Sequence, residues 1–186
     1  MPDLDLSLSR RRFAALGGLA AAGVAVTPSV FLSRQAAAEQ SPAGDAFQVL
    51  IEDHRKVDQL LQQIGGTEDT QKRMTLLRQL ADALTRHAVA EENVIYPAVR
   101  QKSLTGLDAM AAVKDHADIK TYLYVLQNTT DKAKWQEQFE ALKEEIKTHV
   151  EQEESDMFPS LRAEMSAEEL SKMSQAVNRE MGLCKA

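Results

Sequence analysis

The sequence contains one cysteine, Cys184, which has no partner, so a disulfide framework, a cysteine-ligated metal and a thiol redox pair are all excluded. Aromatic residues make up only 5% of the chain and β-branched runs are scarce. With five prolines and eight glycines among 186 residues against abundant Ala, Leu, Glu, Lys, Gln and Met, a sheet-rich or loop-rich fold is disfavoured and helices are favoured. No apolar run reaches the ~20 residues that span a membrane; the stretch from Ala14 to Val26 stops at Thr27-Pro28-Ser29. A basic stripe is also missing. The formal charge is -6 and Lys and Arg alternate with Asp and Glu, so nucleic acid is not an expected partner. What remains, at 44% apolar character, is enough to bury one core of ordinary size with an appendage.

The appendage is N-terminal. Ser9-Arg10-Arg11-Arg12-Phe13 precedes a mildly apolar stretch rich in Ala and Gly, and Ala36-Ala37-Ala38 offers the small-x-small pattern of a peptidase site. This resembles a twin-arginine signal peptide, with Ala14 and Ala15 where Leu and Lys are more usual. The resemblance implies that residues 1–38 are an address, that the mature domain is 39–186 and begins near Glu39, and that the twin-arginine machinery is a partner. A periplasmic or otherwise exported protein follows, with no membrane attachment after cleavage; the alternative is that the segment is kept as an uncleaved anchor. That route carries folded proteins, so a cofactor can be loaded before export.

Within 39–186, Phe47, Leu50, Ile51, Val57 and Leu61 recur at helical spacing before Gly65-Gly66. A second helix starts near Thr67, carries Leu77, Leu80 and Leu84, and is expected to end or kink at Pro97. A third runs from about Leu107 to Leu126, and a fourth, after Asn128-Thr129-Thr130-Asp131, has Trp135, Phe139, Leu142 and Ile146 inside and meets Pro159. Ser166 and Glu169 form a capping box for a short fifth helix from Ala167 to about Met181. The predicted fold is all-α, an antiparallel up-down-up-down four-helix bundle with a C-terminal helix against it.

The four histidines form two pairs of equal spacing, His54 to His87 and His116 to His149, 33 residues each. A shift of 62 carries Asp53, His54, His87, Glu91, Glu92, Tyr96 and Pro97 onto Asp115, His116, His149, Glu153, Glu154, Phe158 and Pro159. Each histidine lies three residues after an apolar residue (Ile51, Leu84, Val113, Ile146) and so faces inward. Glu91 and Glu153 follow their histidines at i+4, about 40° away on the same face. Glu92 and Glu154, at i+5, turn toward solvent or outer positions, and their removal is expected to leave a metal in place. Asp53 and Asp115 sit one residue from a histidine, about 100° round, more exposed than orienting. Two buried carboxylates without a matching Lys or Arg cost roughly several kcal/mol each, a difficulty that divalent metal removes by supplying positive charge to imidazole and carboxylate ligands.

At these residues the chain resembles the hemerythrin-like, or HHE cation-binding, family, with a histidine on the first and third helices and H-x-x-x-E on the second and fourth. The match runs from about Phe47 to Leu161. The resemblance implies a non-haem di-iron centre: His54 and His87 on one iron, His116 and His149 on the other, Glu91 and Glu153 bridging with an oxo or hydroxo oxygen. Zinc and manganese use the same ligand types. The ferritin-like E-x-x-H pattern is absent, since residues 51, 84, 113 and 146 are apolar. Oxygen carriers of the family have a fifth histidine four residues after the third-helix histidine; here that residue is Lys120, which leaves an open position on both irons. The expected function is binding of, or reaction with, O2, NO or peroxide, or iron handling under oxidative and nitrosative stress. The alternatives are a di-iron enzyme of peroxidase or oxidase type that needs an external electron donor, and a metal-free helical adaptor.

Overall fold

The computed structural model describes residues 45–104 and 109–183. The signal-peptide expectation for residues 1–38 and the tail cysteine lie outside them. The described residues are helical, with no strand among them. In chain order they form α1 (Ala46–Gly65), α2 (Thr70–Ala90), α3 (Tyr96–Gln101), α4 (Ala109–Asn128), α5 (Lys132–Gln152), α6 (Phe158–Ala163) and α7 (Ala167–Leu183). None of these helices is long and apolar enough to cross a membrane.

Side-chain caps set the starts. Asp45 accepts from the Phe47 N–H at 3.0 Å, Asp69 from Gln71 and Lys72 at 2.9 and 3.1 Å, and Asp131 from Lys134 at 2.9 Å. The second helix therefore starts at Thr70 and not at Thr67, because the short Asp69 carboxylate caps two of its free N–H groups. The capping box holds: Ser166 N–H donates to Glu169 Oε2 at 2.8 Å, and Glu169 N–H to Ser166 Oγ at 3.3 Å.

Pro97 and Pro159 neither end nor break their segments. Ahead of each, the chain widens into one π turn, Glu91–Ile95 and Glu153–Met157, and continues as α3 and α6. The Tyr96 N–H reaches back five residues to the Glu91 carbonyl, and the Phe158 N–H does the same to Glu153. Proline has no N–H to give the ladder, and the wider turn takes up that missing bond without loss of helical direction.

Helix α1 packs on α2 and α4 on α5, while α7 lies against α1, α2 and the first π turn. The buried apolar residues fall into two clusters. One holds Phe47, Leu50, Ile95, Val99, Phe158, Leu161 and Val177; the other holds Val57, Leu77, Leu80, Ile119, Trp135, Phe139 and Leu142. On α1, His54 stands between Leu50 of the first cluster and Val57 of the second, and on α4 His116 stands between Ala112 and Ile119. A polar layer thus crosses the core at one level.

Candidate metal centre

All six candidate metal ligands are buried in that layer: His54 7%, His87 3%, His116 4% and His149 5% exposed, Glu91 0% and Glu153 1%. Their facing atoms are the Nε2 nitrogens and the carboxylate oxygens. His54 Nε2 and His87 Nε2 are 2.9 Å apart, and His116 Nε2 and His149 Nε2 are 3.1 Å apart. Glu91 Oε2 lies 3.1 Å from His87 Nε2 and 3.3 Å from His116 Nε2. Glu153 Oε2 lies 3.4 Å from both His54 Nε2 and His149 Nε2. Each carboxylate therefore touches one histidine of each pair.

The outer nitrogens are held by a crossed pair of carboxylates. His54 Nδ1 is 2.8 Å from Glu154 Oε1, and His116 Nδ1 is 2.9 Å from Glu92 Oε1. An ionised carboxylate only accepts, so both Nδ1 atoms carry hydrogen and the Nε2 atoms are the ones left facing inward. Glu92 comes from the first half and serves the second, and Glu154 does the reverse. The helical phase that turns both away from their own histidines turns them toward the neighbouring helix pair, so they are neither simply solvated nor idle. Asp115 Oδ2 stands 3.6 Å from His149 Nδ1, whereas Asp53 pairs with Lys56 at 2.7 Å. Lys120 lines a small cavity that all four histidines also line, and its ammonium turns to Glu92 Oε1 at 3.6 Å.

Tyr96, in the sequence only a repeat position beside Pro97, reaches into the layer as well. Its fully buried hydroxyl donates to Glu153 Oε1 at 2.7 Å and lies 3.3 Å from Glu91 Oε2 and 3.2 Å from His116 Nε2. Its repeat counterpart Phe158 instead stacks on His54, 6.1 Å between centroids at 9°. The Tyr/Phe mismatch at an otherwise shared position was the available signal.

Electrostatics without a metal are those of a proton-filled layer. Burial opposes charge on His149, but Asp115, Glu153 and Glu91 outweigh it and push the imidazole up to about 9. His54 is likewise raised against its burial, by Glu153, Glu91 and Glu154. Burial alone raises a carboxyl, yet His87 and His116 hold Glu91 well below the usual range. Burial and the two carboxylates push the Tyr96 phenol up, so it remains a donor here.

The donor set fits metal. Facing Nε2 lone pairs repel unless a proton or cation lies between them, and Glu91 Oε1, Glu153 Oε2, His87 Nδ1 and His149 Nδ1 are buried without a hydrogen-bond partner. His54, His87, Glu91 and Glu153 offer four ligand atoms within 4.8 Å of one another, and Glu91, His116 and His149 offer three.

Fold and site together define a helical protein with a buried His/Glu cluster able to hold metal. The family model described as the Hemerythrin HHE cation binding domain matches residues 45–161, and the chain belongs to that family. A DNA nickase from Nostoc sp. is 31% identical over 122 residues, 65% of this chain and 34% of that protein. An uncharacterised hemerythrin-like protein from Schizosaccharomyces pombe is 29% identical over 134 residues, 70% of this chain and 66% of that protein. The chain thus spans about a third of the first relative's length and just under two thirds of the second's. No solved structure matches it significantly.

Proposed function

We propose that this is an exported, periplasmic, non-haem di-iron protein that binds or reacts with O2, NO or peroxide, or handles iron under oxidative and nitrosative stress. The paired helices are read as an antiparallel up-down-up-down four-helix bundle of two related hairpins. One observation carries the proposal: Glu91 and Glu153 each stand beside a histidine from both pairs, within reach of two ion positions at once.

His54 and His87 hold one ion, His116 and His149 the other, and Glu91 and Glu153 are common to both. Iron, when bound, supplies the change of oxidation state and the open position that a small ligand needs. Glu92 and Glu154 fix two of the rings, the two apolar clusters flank the layer, and the small cavity beside Lys120 leaves space next to the four histidines. DNA nicking, named for the cyanobacterial relative, is not carried over, because this chain covers a third of that protein and is acidic.

Reduced, iron-loaded protein is expected to bind NO and to autoxidise in air without a long-lived O2 complex, as read by stopped-flow absorption. A stable, reversible O2 complex overturns this reading in favour of a carrier. Sustained turnover of peroxide with an added reductant assigns the protein to the enzyme class.

A further inference from the structure

Resting on the di-iron reading, we propose that Tyr96 is a seventh donor: its oxygen binds, as phenolate, the ion held by His116 and His149 with the shared Glu91 and Glu153, and makes the two ion positions chemically unequal. The Tyr96 oxygen lies 3.2 Å from His116 Nε2 and 3.3 Å from Glu91 Oε2, beside two of the atoms that converge on the His116 and His149 position. It also lies 2.7 Å from Oε1 of Glu153, the other shared carboxylate. It therefore adds one more protein oxygen on the His116 side of the layer.

The backbone places it there. The Tyr96 N–H bonds to the Glu91 carbonyl across the π turn, so ring and carboxylate leave the same wide turn toward the same layer. The other half has the same turn but presents Phe158, with no oxygen, over His54. Phenolate is a hard anionic oxygen and suits ferric iron. It also adds a third anion to a core in which two trivalent ions otherwise meet only two carboxylates. On binding, the Tyr96 O–H bond breaks, an oxygen–iron bond forms and the proton passes to solvent, with no electron transferred. The open position for a small ligand then lies on the His54 and His87 side, in place of one on each iron.

The test uses the full chain loaded with ferric iron, with iron content, visible absorption and resonance Raman measured on one sample. A phenolate-to-iron band in the visible and enhanced tyrosinate ring vibrations are expected, both lost in Tyr96→Phe. Two irons per chain with neither signal overturns the proposal and leaves the di-iron reading intact, whereas a chain that takes up no iron overturns both. Should Tyr96→Phe fail to hold iron, the double variant Tyr122→Phe, Tyr124→Phe carries the assignment: signals retained support Tyr96, and signals lost overturn it.

Discussion

Six side chains of the metal layer are legible in the sequence because they obey two rules at once, helical phase and a repeat at an offset of 62. Glu92 and Glu154 are only half legible. Phase shows where a side chain leaves its own helix, and it cannot show that His116 or His54 waits on the next one. The crossed contacts change the expected consequence of removing them. Groups that orient a metal-binding imidazole are worth about 10–100-fold in metal affinity, so Glu92→Ala and Glu154→Ala are each expected to weaken binding by that order. Competitive chelator titration measures it. Affinity unchanged in both variants would show that the Nδ1 contacts do not orient the rings.

The long helices follow from apolar spacing and capping residues, and Asp131, Ser166 and Glu169 take the roles their positions suggest. The π turns do not follow, because apolar periodicity over five residues cannot separate an i+5 ladder from an i+4 one. Only the prolines hint that the ladder must change. These turns set the phase of everything after them, including Tyr96, Phe158 and Leu161. Ser155 is an exposed residue of the second turn. Inserting one alanine after it adds about 100° that the already widened turn has no further room to absorb, rotating Phe158 and Leu161 out of the core. The expected result is nearly unchanged far-UV dichroism with a loss of roughly 2–5 kcal/mol in denaturant unfolding, the size of a buried large-to-small change. A fully stable insertion variant would mean that the phase of Phe158 and Leu161 carries no packing.

For the molecule as a whole, the polar layer between the two apolar clusters links stability to whatever fills it. Without metal the filler is protons. His149 has an unfolded value near 6.5 and is held up to about 9 when folded, so its contribution is whole below pH 6.5 and is lost as pH rises through 9. His54 shifts in the same direction. Each unit of separation is worth roughly 1.4 kcal/mol before sharing among coupled neighbours. The melting temperature of metal-free protein should therefore fall between pH 6.5 and 9. Metal-loaded protein should hold steady over the same range, since metal replaces the protons. A flat profile for the metal-free form would place the protons elsewhere.

The central claim is that two ions share Glu91 and Glu153, and metal counting by inductively coupled plasma mass spectrometry reaches it most directly. Two irons per chain are expected in the wild type. Fewer are expected in both Glu91→Ala and Glu153→Ala, with a lower melting temperature in each because metal binding and folding are linked. A wild-type chain that binds no metal, or unchanged stoichiometry in both variants, would contradict it.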